Sequence, residues 1–129
     1  MRIYIAHSKK MDYINEIYRP LRKDKELNKH TLLLPHEHSD KSYNDREFYK
    51  TLDIFISEAT FPGTGLGIEL GWVYDDNIPI YCLYKKGSKI SSSIKSVTNN
   101  IFEYSNEDEF VKIIKSIVEK YYLESRNNK

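Results

Sequence analysis

The residues best placed to do chemistry lie in one run, Asp53-Ile-Phe-Ile-Ser-Glu58-Ala-Thr-Phe-Pro-Gly63-Thr-Gly65-Leu-Gly67-Ile-Glu69-Leu-Gly71. A short apolar strand ends in a carboxylate, three alternate glycines follow, and Glu69 is expected in the first turn of a helix. Glycines permit positive φ and close approach of a backbone to a ligand. Free N–H groups at a helix start favour an anion, either a phosphate or the Glu69 carboxylate itself. They would favour ionised Glu69, which suits a nucleophile or base rather than an acid. A dinucleotide fingerprint does not fit, since the sixth position is Ile68 counted from Gly63 and Leu70 counted from Gly65. A phosphate-binding loop of the Gly-Lys-Ser/Thr type does not fit either, because no such tripeptide follows. On spacing alone, ordinary turn and cap chemistry, with Glu69 stabilising its own helix, stays open.

Lys50 and Lys85 bracket a stretch without a basic residue that holds Asp53, Glu58, Glu69, Asp75 and Asp76. Carboxylates without cations suit stabilisation of a developing positive charge, such as the oxocarbenium-like state of glycosidic cleavage. They suit direct phosphate clamping poorly. His36-Glu37-His38 invites a metal reading, with His7 and His30 joining only if the fold gathers them. Tetrahedral sites want more ligands at set spacing, so no metal is expected. Cys82, the single cysteine, falls mid-strand and reads as an inert core thiol.

These residues need elements to position them. Arg2 to Ala6 reads as a buried strand meeting the polar run His7-Ser8-Lys9-Lys10. Ile14, Ile17, Tyr18 and Leu21 recur at helical spacing, with Pro20 marking an end or a kink. Thr31 to Leu34 is a second strand. Ser42 followed by Asp45 resembles a helix start, with the helix reaching about Leu52. Asp53 to Ser57 is the third strand, Glu58 to Gly67 a loop, and Gly67 to Asp75 a helix. Ile78 to Tyr84 is the fourth strand, a short polar helix starts at serines 91 to 93, and Asn100 to Tyr104 is a fifth strand. Phe110, Ile113, Ile114, Ile117, Val118 and Tyr121 stripe a last helix, and 125–129 form a polar tail. Strands alternating with helices predict an α/β fold with a parallel sheet covered on both faces. Ligands then bind beyond the carboxyl ends of the strands, after Ala6, Leu34, Ser57 and Tyr84.

The 129 residues suit one domain, with 40% apolar and 30% charged side chains. Twenty basic residues against 19 acidic ones leave a formal charge of +1, so charge argues for neither nucleic acid nor an anionic membrane. No apolar run reaches the roughly 18 residues of a transmembrane helix. The first residues are too short a run for a signal peptide, and a lone cysteine gives no sign of secretion. A cytoplasmic protein is expected. Seventeen aromatics, 11 of them Tyr, suit half-wet pockets and interfaces.

Three segments together resemble the nucleoside 2-deoxyribosyltransferase superfamily: Tyr4-Ile-Ala-His-Ser8, Asp45 ahead of Asp53-Ile-Phe-Ile-Ser-Glu58, and Pro62-Gly-Thr-Gly-Leu-Gly-Ile-Glu69-Leu-Gly71. Within it the sequence is most similar to the branch of 2'-deoxynucleoside 5'-monophosphate N-glycosidases, whose strand of the Ile-x-Cys-Leu type matches Ile80-Tyr-Cys82-Leu83. The match runs from Tyr4 to about Ser93. The resemblance implies a flavodoxin-like or Rossmann-like three-layer sandwich on a five-stranded parallel sheet, as one domain over residues 1–124. It implies that Glu69 attacks the anomeric carbon, that Asp45 holds the sugar or assists proton transfer, and that Tyr4 lies near the nucleophile. Ala6, His7, Ser8, Glu58, Gly63, Thr64, Gly65 and Gly67 then line the substrate site, and Ser93 is lent to a neighbouring subunit's phosphate site, which makes a homodimer. Gly63 stands where the family often has serine, and His7 where it usually has glycine. Each match has a plainer counterpart: Asp45 as the capping partner of Ser42, Tyr4 as core, Ser93 as a helix cap. The implied activity is release of free base from a nucleoside or its monophosphate, without a cofactor. Base exchange by a 2-deoxyribosyltransferase and a non-catalytic nucleotide-binding module are the alternatives.

Overall fold

Five short segments form the central sheet; the inner strands are apolar and mostly buried on both faces, while the two edge strands keep exposed residues. A computed structural model describes residues 1–38 and 45–127. Strands β1 (Arg2–His7), β2 (Thr31–Leu33), β3 (Ile54–Glu58), β4 (Ile80–Lys85) and β5 (Ile101–Tyr104) pair in parallel in the order β2-β1-β3-β4-β5. This is the flavodoxin-like, three-layer α/β arrangement, with its switch of strand order between β1 and β3. His7 and Glu58, the last residues of those two strands, face each other in register.

Alternation along the strands divides the core in two. Ile3, Ile5, Ile54 and Ile56 pack with Leu21, Phe110, Ile114 and Ile117 on one face. Tyr4, Ala6, Phe55 and Cys82 pack with Leu66, Leu70 and Val73 on the other. The first face is covered by helices α1 (Arg19–Lys23) and α3 (Glu107–Asn127), the second by α2 (Thr64–Asp75). The expected stripe on α3 lies inward, with Phe110, Ile114, Ile117 and Val118 buried and Ile113 and Tyr121 at its margin. Among the described residues no helix is long and apolar enough to cross a membrane.

Several boundaries differ from expectation. Pro20 does not end its helix; it sits at the start of α1, where its missing N–H is tolerated and where a wide π turn at Ile14–Tyr18 gives way to α-helix. The helix start expected at Ser42 lies outside the described residues, and downstream of it only a 3-10 turn forms, Phe48–Thr51. Helix α3 runs through Asn127, past the boundary expected at 124, so 125–127 are helical. Helix α2 starts three residues earlier than expected, which takes Thr64, Gly65 and Leu66 into it with Gly67. The run of glycines is therefore not a loop. Gly63, in extended conformation, caps α2, and the positive φ angles belong to Asn77 and Gly87 instead.

Candidate active site

Glu69 is the sixth residue of α2, in its second turn and not its first. It is half-buried and points to the sheet, where Tyr4 of β1 donates to its Oε2 at 2.6 Å. A second phenol reaches the same oxygen: Tyr49, from the 3-10 turn, donates at 2.8 Å. Burial pushes the Glu69 carboxyl above the usual carboxylate range, and the hydrogen bonds from Tyr4 and Tyr49 pull against that push. The expectation that the helix start favours the ionised form thus needs correction. The dipole acts mainly within the first turn, and desolvation outweighs it one turn later. The Tyr4 phenol is itself pushed far up by burial, then by the Glu69 charge beside it.

The other carboxylates of the cation-free stretch have structural partners. Asp53 accepts the Arg2 backbone N–H at 2.7 Å. Glu58, fully buried, accepts the N–H and hydroxyl of Thr60 at 2.6 and 2.9 Å and the hydroxyl of Tyr104. Asp75 and Asp76 take the Arg46 guanidinium, at 3.2 Å and at 2.5 and 3.0 Å. Arg46 comes from outside the stretch, so counting charges within it overstated the negative surface. Among the described residues, Glu69 is the one of these five acids whose hydrogen bonds come from phenols alone.

The remaining expected residues divide by location. Asp45 opens the turn that carries Tyr49; its carboxylate is exposed and accepts the Glu47 N–H at 3.0 Å, a capping role within its own turn. Ser8 lies beside Gly63, with its Oγ 3.8 Å from where a methyl on Gly63 would stand. Thr64 and Gly65 are exposed in the first turn of α2, and Ala6 is buried beside Ser57. His7 and Glu58 project to the sheet face opposite Tyr4 and Glu69, by the two-residue repeat of the strand. Gly63, Gly67 and Ser93 line a hollow of about 270 Å³ between α2 and the 3-10 turn at Ser92–Ser96, whose lining does not include Glu69 or Tyr4. There Ser91, not Ser93, is the cap, accepting the Ser93 N–H at 3.3 Å.

His7 is buried against Tyr13, 4.5 Å between ring centres and nearly parallel. Its Nδ1 faces the Ser8 carbonyl at 3.2 Å, which only accepts, so Nδ1 carries the proton. The Tyr18 hydroxyl, which accepts the His36 N–H at 2.9 Å, then donates to Nε2 at 2.7 Å. Burial pushes His7 down to about 4. In the His36-Glu37-His38 segment, Glu37 is held by both arms of Arg22, at 2.8 and 2.7 Å. No group of three or more ligating side chains fit for a metal forms among the described residues. Sequence reasoning missed Tyr49. Its signal was weak, one tyrosine among 11, four residues past Asp45 in an expected helix.

No family model and no curated protein matches the chain. Solved structures do. A CMP N-glycosidase from Clostridium botulinum, BcmB, superposes with a TM-score of 0.60 at 21% identity, covering 89% of this chain and 99% of its own. A conserved protein from Enterococcus faecalis superposes with a TM-score of 0.57 at 17% identity, covering 90% and 98%. At such identities the likeness extends to the fold, and it takes in nearly the whole of both proteins.

Proposed function

We propose that this chain cleaves the N-glycosidic bond of a nucleoside or its 5'-monophosphate, with Glu69 as nucleophile. The observation that carries this reading is the Glu69 carboxylate, half-buried, without a cation partner among the described residues and held by Tyr4 and Tyr49. The fold shared with a CMP N-glycosidase supports the substrate class. In the first step a Glu69 oxygen forms a bond to the anomeric carbon. The bond to the base breaks, and its electron pair leaves on the base nitrogen, which takes up a proton. In the second step water attacks the same carbon, the ester bond to Glu69 breaks, and free sugar or sugar phosphate departs. Asp45 positions the sugar and assists proton transfer. Ser8 and the first N–H groups of α2, at Thr64 and Gly65, lie where an anionic 5' end suits the helix start.

The reading includes a homodimer that shares its sites through Ser93. The outward side of α2 supports that part. Ile68 and Tyr74 are 49% and 56% exposed, and a methyl on Gly65, Gly67 or Gly71 would meet none of the described residues within 4 Å. A helix with room along its backbone and apolar side chains in water is suited to meeting a second copy.

The test is incubation with CMP, deoxynucleoside monophosphates and the matching nucleosides, with and without an acceptor base, followed by chromatography for free base. Wild-type protein is expected to release base, and Glu69→Ala to lose more than about 10³-fold in rate while keeping its fold. Near wild-type turnover in that variant would remove the mechanism. Base exchange in place of net release identifies a transferase, and saturable binding without release a binding module.

A further inference from the structure

The two phenols on Glu69 come from different elements and converge on one atom. Tyr4 rises from the sheet and Tyr49 descends from the turn at Phe48–Thr51, and both donate to Oε2 while their own oxygens lie 3.5 Å apart. A carboxylate oxygen has two acceptor sites, so both bonds fit on Oε2 and Oε1 takes neither. Tyr49 is built in firmly. It is buried, its ring packs at 5.4 Å from those of Tyr4 and Trp72, and its turn is tied to the end of α2 by the bidentate Arg46–Asp76 pair. The Arg46 guanidinium also lies over the Trp72 ring.

We propose that Tyr49 is a positioning residue which, with Tyr4, locks Glu69 through Oε2 and thereby leaves Oε1 as the oxygen offered to the anomeric carbon. The proposal rests on the N-glycosidic reading above and adds to it a division of labour between the two carboxylate oxygens. One donor would leave the carboxylate free to swing about that bond; a second, from another direction, removes the swing. Bonds to an ionised acceptor are also among the stronger ones, so the pair pulls the Glu69 carboxyl back down against the upward push of burial.

Two variants of the full chain test this, Tyr49→Phe, which deletes only the hydroxyl, and 3-fluorotyrosine at position 49, which keeps the shape and makes the phenol a stronger donor. The Glu69 titration is read by carbon-13 NMR of its carboxyl, and base release is followed against pH. Tyr49→Phe is expected to raise the Glu69 titration point by about one unit and to move the acid limb of kcat/KM with it. It should lower kcat about tenfold to a hundredfold with KM nearly unchanged. Fluorotyrosine is expected to move both in the opposite direction. If the Glu69 titration stays put in both folded variants, the lock does not exist. If Tyr49→Phe fails to fold, the fluorinated protein decides alone. Absence of base release by wild type would overturn the glycosidic reading, and with it the role given to Oε1, whereas the NMR titration still decides whether Tyr49 holds Glu69.

Discussion

At the scale of single residues, burial sets the chemistry of two titratable groups, His7 at the end of β1 and Glu69 in the second turn of α2. It pushes the Glu69 carboxyl up and the His7 imidazole down to about 4, in each case toward the neutral form. The two phenols pull Glu69 back against that push; at His7 the Ser8 carbonyl pulls back too, burial outweighs it, and the neutral form fits the bonds to Ser8 and Tyr18. The unfolded chain binds a proton at His7 near pH 6.5 and the native chain only near 4, so the native state is favoured above 6.5 and loses that advantage as pH falls through 4. The loss is on the order of 3 kcal/mol. Denaturant unfolding of wild type is therefore expected to show falling stability from pH 6.5 to 4, and His7→Gln a flatter profile over that window. Parallel profiles would place the acid sensitivity elsewhere.

At the scale of elements, α2 and α3 serve different ends. Helix α3 is held by an inward stripe, and Ile114, fully buried among Ile3, Ile5 and Leu21, is typical of it. Ile114→Ala removes that packing and leaves a cavity, at a cost of about 2–5 kcal/mol. The expected outcome is a lower unfolding midpoint in urea with the Glu69 titration unmoved, because α3 lies across the sheet from α2. Helix α2 instead carries three glycines in its exposed turns, which weakens it by roughly 1 kcal/mol each relative to Ala. No contact among the described residues requires them, and the proposed second subunit offers a reason for them.

At the scale of the whole molecule, the parallel order β2-β1-β3-β4-β5 brings the ends of β1 and β3 together and lays α2 over them. Tyr4, Tyr49 and Glu69, separated by up to 65 positions in the chain, meet only because of that order. The proposed dimer is checked by sedimentation or light scattering. Wild type is expected at twice the 15.3 kDa chain mass, and Ile68→Glu, which puts a charge on the exposed face of α2, at the mass of one chain. A wild-type monomer at micromolar concentration would remove the shared-site part of the proposal.

The sequence by itself determined the five strands, the parallel α/β class and Glu69 and Tyr4 as residues to watch. The strands and class rest on local periodicity and turn residues, Glu69 on a run of motif residues close together in the chain, and Tyr4 on the family resemblance alone. It also led astray where the deciding interaction was remote. Asp75 and Asp76 counted as free acids until Arg46 folded onto them, and nothing in the spacing showed that Thr60 and Tyr104 hold Glu58. Only the tertiary structure decided that Tyr49 shares the Glu69 carboxylate and that burial, not the helix dipole, governs its protonation. Solvent exclusion and hydrogen-bond direction are properties of packed surfaces, and no spacing along a chain encodes them.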